Sequence, residues 1–391
     1  MKRSLFTSVL AVFLVFFLAV PCFADGTDKP TLSDDVIMTG PALTVTGKGC
    51  VLMEASTGQV LFESGKDTVL PPASVTKVMT LLLIMEAVDD GRITLTDTVT
   101  ASEHAASMGG TQIYLQVGET MTVDELLKAV AIPSANDAAV ALAEFVAGSE
   151  SEFVSMMNNR AAELGMKNSK FTNCTGLFDD NEHYTTAYDI ALMTRELMKH
   201  PKIFDYTTVW MDSLRDGAFG LANTNKMLRT YTGMTGMKTG YTKLAGHCLS
   251  GTAQRDGMSL IAVTLGAPTS KERFDDIAAM LDYGFATYSV IDRSAETSEP
   301  IKVIKGRNDS VQVRAAENLN LLVKKGKEKG LETEVVLEPQ LTAPVYSGQK
   351  VGTVRFILDG QTVKECDVVA TEDVERASFT DYFRRIMGLL F

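Results

Sequence analysis

The chain has 391 residues, enough for two domains. Its 45% hydrophobic and 22% charged content allows sizeable cores and argues against bulk disorder. A net charge of −12 lacks the basic excess that a nucleic-acid binder needs, so no nucleic-acid partner is expected. Five cysteines without a CxxC and four histidines without an HExxH spacing give no metal or redox-pair pattern, so no metal and no cofactor are expected.

Lys2 and Arg3, an apolar run from Leu5 to Val20, and small residues Cys22 and Ala24 predict a signal peptide over residues 1–24, cleaved after Ala24. The run is shorter than the ~20 residues a membrane span prefers. The remaining chain is therefore expected to be exported. Cys22 would leave with the leader. Cys50, Cys174, Cys248 and Cys366 read as buried thiols, with one disulfide left open by an export compartment. Residues 25–39 are a polar leader. "CVLMEASTGQVLFESG" reads as a hairpin turning at Ser56–Thr57–Gly58. From Pro71 to His200 the pattern is helical, with "SVTKVMTLLLIMEAV" apolar on nearly every side, and Gly91 and Gly148 closing two helices. A second hairpin around Asp256–Gly257 and the helix "KERFDDIAAMLDYGFATY" follow. This order makes residues 40–292 an α+β domain.

A polar stretch at 291–298 reads as the boundary. Residues 298–375 are short alternating runs separated by Gly, Asn or Pro, the texture of a small all-β domain. In the tail, 376–391, Phe379, Phe383, Ile386 and Leu390 recur at helical spacing with Tyr382 and Leu389 beside them. Arg384 and Arg385 lie off that stripe. We read this as an amphipathic helix on a membrane surface, in preference to one docked on its own domain.

Three short motifs carry the chemistry. In "PPASVTKVMT", Ser74 and Lys77 are one helical turn apart, with two prolines favouring a helix start. A lysine desolvated by that apolar helix would lose its proton more easily and accept one from the serine. Spacing alone is weak: "SGQK" puts Ser347 and Lys350 at the same separation in a turn with no apolar helix behind it. "PSANDAAVALAE" holds Ser134 and Asn136 at a helix start, where a proton relay and an amide-binding group compete with plain N-capping. "GMKTGYT" leads into strand-like residues. Lys238 and Thr239 would recognise an anionic group there, and Gly240 would let substrate backbone approach.

In this order the motifs resemble those of the penicillin-binding protein and serine β-lactamase superfamily. "LMEASTGQVLFE", "HYTTAYDIALMTRELMKHPKIF", "NTNKMLR" and "MKTGYTKLAGHCLSGTA" extend the likeness over residues 40–290 to the low-molecular-mass D-alanyl-D-alanine carboxypeptidases. The resemblance implies an antiparallel sheet with helices on both sides plus a helical subdomain, followed by the β-rich domain and an anchor. It implies Ser74 as nucleophile, Lys77 as general base, Ser134 as proton shuttle and Asn136 as amide holder. Lys238 and Thr239 would bind the terminal carboxylate or polarise Ser134. The N–H groups of Ser74 and Tyr241 would form the oxyanion hole, and Arg273 would read a carboxylate. The implied substrate is a peptidoglycan stem peptide ending in D-Ala-D-Ala, with β-lactams as inhibitors. The implied location is the outer face of the cell membrane. Two departures stand out, "GMTGM" before K-T-G and Cys174 in "NCTGL"; neither is expected to touch the chemistry. The rival readings are a β-lactamase, for which Glu163 lacks the usual surroundings, and a catalytically silent wall-binding scaffold.

Overall fold

The computed structural model describes residues 43–177, 181–293, 299–317 and 319–388. The signal peptide, the polar leader, most of the boundary stretch, and Leu389 and Leu390 of the tail lie outside them.

In chain order the first part is built on strands β1 (Gly49–Glu54) and β2 (Val60–Ser64), then helices α1 (Lys77–Asp89), α2 (Val123–Ala131), α3 (Asn136–Ala147), α4 (Glu150–Glu163) and α5 (Ala187–Leu197). Strands β3 (Met234–Thr242), β4 (Gly246–Arg255) and β5 (Met258–Ala267) follow, and helix α6 (Ser270–Thr287) closes it. The five strands form one antiparallel sheet in the order β2-β1-β5-β4-β3. Both expected hairpins are present. The tight one between β4 and β5 uses left-handed Asp256 and Gly257, the backbone that a two-residue hairpin turn requires.

β1 is buried along its whole length because both faces are covered. Val51 and Met53 face the core shared with α1 and α5, whereas Cys50 and Leu52 face Ile277, Met280 and Leu281 of α6. Strand periodicity of two thus sorts one run of residues into two layers. α1 fills the centre of the helical layer, with residues from Val78 to Met85 all buried. Four of the other helices carry side-chain caps. Thr122 and Glu125 form a reciprocal capping box at α2, and Ser149, Thr186 and Thr269 cap α4, α5 and α6. The four cysteines among the described residues are buried free thiols, so none of them pairs with another in a disulfide.

β6 (Tyr288–Asp292) continues directly from α6 and pairs with β7 (Asn320–Lys324). The β-rich part is built around β8 (Leu331–Leu337), β9 (Lys350–Leu358) and β10 (Gln361–Ala370), joined by the short strand Val313–Ala315. Its core, including Val311, Val354, Phe356 and Val368, is separate from the cores of the first part. Ser347 and Lys350 do not meet: Lys350 pairs with Asp367 at 2.6 Å, and Ser347 Oγ donates to Thr371 O. The chain ends in helix α7 (Phe379–Gly388), on which Phe379, Tyr382 and Phe383 are exposed.

Candidate active site

Ser74 does not lie in the α-helix proper. It sits in a 3-10 turn, Ala73–Thr76, and α1 starts at Lys77. Ala73 has a left-handed backbone (φ 49°), rare for any residue with a Cβ. The turn still brings Ser74 Oγ to 3.2 Å from Lys77 Nζ. Lys77 is fully buried, and desolvation pulls its pKa down from 10.5 to about 7.

The partners of Lys77 define its lone pair. Nζ lies 2.6 Å from Asn136 Oδ1 and 2.9 Å from the Thr175 carbonyl. Asn136 is oriented by its own amide, because Nδ2 donates to Gly109 O at 2.8 Å and so turns Oδ1 toward the lysine. Both partners only accept. A neutral amine has two protons and one lone pair. The ammonium form donates to all three groups; in the neutral form, with both protons given to Asn136 and Thr175, the lone pair is left for the Ser74 hydroxyl.

Ser134 and Asn136 lie at the start of α3, but neither caps it: the cap residue is Ala135 and no side chain caps the helix. Ser134 is left-handed (φ 76°), and its buried Oγ has no hydrogen-bond partner among the described residues. An orphaned buried hydroxyl in a strained backbone is the opposite of a satisfied cap and marks a group kept for a ligand. Asp137, beside it, accepts from the N–H groups of Ile113 and Leu115 and so ties the preceding loop to the helix start.

The K-T-G residues lie on β3, the edge strand of the sheet. Lys238 is buried and, among the described residues, donates to Thr239 O alone, at 3.2 Å. Its pKa falls well below the ordinary value, through burial first and then the charges of Lys77 and Arg273. Thr239 Oγ1 donates to Thr224 Oγ1 at 2.6 Å. Gly240 has a different role from the one its motif suggested. A Cβ there would lie 2.8 Å from Pro72 O and 3.0 Å from Val75 N. The missing side chain therefore lets β3 pack onto the turn that carries Ser74. Tyr241, next along the strand, is exposed and stacks on His247 with ring centroids 4.5 Å apart.

Arg273 stands behind the strand. Its guanidinium donates to Gly240 O, Cys248 O and Ser270 Oγ and stacks on Phe274, and its Nε has no partner among the described residues. Burial lowers its pKa to about 10. In this arrangement it braces the backbone of β3 and β4.

Sequence reasoning missed Thr175 and Gly109, which act through carbonyl oxygens and so carry no side-chain signal. The "NCTGL" departure was expected to be remote from the chemistry, yet the Thr175 carbonyl within it is a direct partner of Lys77. Glu163, the carboxylate weighed for a β-lactamase, is on the surface of α4, 65% exposed and paired with Arg160.

An edge strand laid on the Ser74 turn, with two buried lysines of depressed pKa beside it, is the site on a penicillin-binding-protein fold. The model of the D-alanyl-D-alanine carboxypeptidase family matches residues 36–269, and that of the C-terminal domain of penicillin-binding protein 5 matches residues 285–376. D-alanyl-D-alanine carboxypeptidase DacF of Bacillus subtilis is 42% identical, over 99% of this chain and 98% of the relative. DacC of Escherichia coli is 35% identical, over 87% of each. The crystal structure of penicillin-binding protein 5 from Haemophilus influenzae superposes with a TM-score of 0.75 at 30% identity, covering 87% of this chain and 100% of that one. Penicillin-binding protein D2 of Listeria monocytogenes, solved in its ampicillin-bound form, is 32% identical with a TM-score of 0.57, covering 63% of this chain and 100% of that one. The chain belongs to the D-alanyl-D-alanine carboxypeptidase family, the low-molecular-mass penicillin-binding proteins.

Proposed function

We propose that this chain is a serine-type D-alanyl-D-alanine carboxypeptidase that trims the terminal D-alanine from peptidoglycan stem peptides. The observation that carries the mechanism is the buried Lys77 amine 3.2 Å from Ser74 Oγ, with acceptors alone at its two other contacts. Ser74 attacks the scissile carbonyl while its proton passes to Lys77. The tetrahedral oxyanion is held by the N–H groups of Ser74 and Tyr241. Ser134 relays that proton from Lys77 to the leaving amine as the oxyanion collapses to the ester carbonyl, so the C–N bond breaks, D-alanine leaves, and Lys77 and Ser134 return to their starting states. Water then cleaves the ester by the reverse proton path. The substrate peptide lies along the edge of β3, its amide on Asn136 and its carboxylate near Lys238 and Thr239. Arg273 serves that carboxylate indirectly, through the backbone it braces.

β-Lactams acylate Ser74 because they offer a strained amide in the same pose. The β-lactamase alternative is disfavoured by the surface ion pair of Glu163 with Arg160, and the silent scaffold by the intact Ser74, Lys77 and Lys238. Incubation of the full chain with penicillin, followed by peptide mass spectrometry, tests the reading. An adduct on the Ser74 peptide, absent in Ser74→Ala, is expected, and no adduct on the wild type overturns it.

The proposed location is the outer face of the membrane, reached by the signal peptide and held peripherally by α7. Its exposed Phe379, Tyr382 and Phe383 support this. Among the described residues no helix is long and apolar enough to cross a membrane. Arg385 is taken up by Asp309 and by the carbonyls of Gly306 and Arg307, so one side of α7 is tied to the β-rich domain while the aromatics stay free.

A further inference from the structure

The turn carrying Ser74 begins at a left-handed Ala73, and something must hold it there. The Ala73 carbonyl accepts from Thr76 Oγ1 at 2.8 Å. Thr76 has one hydroxyl proton, and that bond uses it. The His183 Nε2 atom, 2.7 Å from the same oxygen, must therefore be the donor. At the other side of the ring, the Thr172 backbone N–H donates to Nδ1 at 3.1 Å, so Nδ1 is unprotonated. The two ends independently assign one state: neutral imidazole with its proton on Nε2. His183 and Thr76 are both buried, and Phe171 packs edge-on against the ring at 5.7 Å between centroids. Gly176 closes the same corner, since a Cβ there would lie 1.9 Å from Ala73 O and 2.6 Å from Thr76 Oγ1.

We infer that His183 is a positioning residue for the nucleophile, acting through Thr76 on the Ala73 carbonyl. The inference rests on the acyl-enzyme reading above. Lys77 Nζ is held by its own bonds to Asn136 and Thr175, which do not pass through Thr76. The Ser74–Lys77 alignment therefore depends on holding the other partner, and the directed chain from Thr172 N–H through His183 and Thr76 to Ala73 O does so. His183 touches neither substrate nor reacting atoms. Its loss lets Ala73 relax and moves Ser74 Oγ away from the lone pair of Lys77.

The test measures the acylation rate constant of Ser74 in the full chain with a fluorescent penicillin, beside melting temperature and the binding constant that precedes acylation. His183→Leu and Thr76→Val are expected to slow acylation by about tenfold or more, with initial binding changed less than about threefold, because misplacement by a fraction of an ångström is costly in rate. His183→Gln, whose amide can donate to Thr76 and accept from Thr172, and Thr76→Ser, which keeps the hydroxyl, are expected to recover most of the rate. The double variant His183→Leu/Thr76→Val should be no slower than the slower single one, since both cut the same chain. Nitrogen NMR of His183 should report the neutral Nε2-protonated tautomer. The inference is overturned if His183→Leu acylates within about twofold of wild type, if the two defects multiply, or if the Nδ1-protonated tautomer is found. Should His183→Leu fail to fold, the contrast between Thr76→Val and Thr76→Ser decides: equal rates overturn the inference. A wild type that is not acylated at all overturns the functional reading and this inference with it. A wild type that acylates beside an indifferent His183→Leu overturns this inference alone.

Discussion

Titration of Lys77 is the most informative perturbation of the site. At its ordinary pKa of 10.5 a lysine at pH 7 would be neutral in about one copy in 3,000; at about 7 it is neutral in about half. Burial thus raises the reactive fraction by about 10³-fold. The sign follows directly: the base is the deprotonated form, so acylation rises about tenfold per pH unit below 7 and levels off above it. The assay is the second-order rate constant for β-lactam acylation of the full chain between pH 5.5 and 9.5. Asn136→Asp moves the inflection. It puts a carboxylate where Oδ1 now lies, 2.6 Å from Nζ, and even at an effective dielectric of about 20 the attraction is several kcal/mol. The inflection should climb by at least about two pH units, leaving the variant slow at pH 7 and partly recovered at 9.5. The plateau should also fall, because the proposed amide contact of Asn136 is lost with it, so the diagnostic is the inflection. A flat wild-type profile, or an inflection near 7 that ignores the new carboxylate, would refute Lys77 as the base.

Gly240→Ala should slow acylation by about tenfold or more with little loss of melting temperature, because its Cβ would press on Pro72 O and push the edge strand off the nucleophile turn; stopped-flow acylation checks it. Lys238→Met should raise the melting temperature at pH 7 by about 2 °C while abolishing D-alanine release. The folded pKa of Lys238 is below its unfolded value, so the unfolded state holds the extra proton between the two and wild-type stability rises with pH across that window. The gain from Met should accordingly shrink toward pH 10 in calorimetry. The four described cysteines are buried, and burial raises the thiols of Cys50 and Cys248 to about 11. A thiol reagent at pH 8 should therefore label none of them quickly in the folded protein and all of them in denaturant.

The layered α+β domain, its hairpins and the β-rich domain were legible because strand alternation and turn residues report burial directly. The Ser74–Lys77 pair was legible because three residues along a helical path bring two side chains together, and because the apolar run from Val78 to Met85 announces a buried helix. "SGQK" had the spacing without the burial, and Lys350 turns to Asp367 instead. Local propensity misled at Ser134, where a good capping residue adopts a left-handed backbone and caps nothing. The Thr175 and Gly109 carbonyls were invisible because any residue type supplies one, and they reach the site from 98 residues after Lys77 and 27 before Asn136. Gly240 was legible as a necessary glycine. What crowds it, the Ser74 turn itself, needed the fold. Arg273 was assigned by the family resemblance alone, and the carbonyls that occupy its guanidinium needed the fold.

The central claim is that Ser74, activated by Lys77, cleaves a terminal D-alanine. The most direct measurement is D-alanine release from a diacyl-D-Ala-D-Ala peptide by the wild-type chain and by Ser74→Ala. Release by the wild type and none above background from Ser74→Ala is the expected result; equal release by both, or none by the wild type, would contradict it.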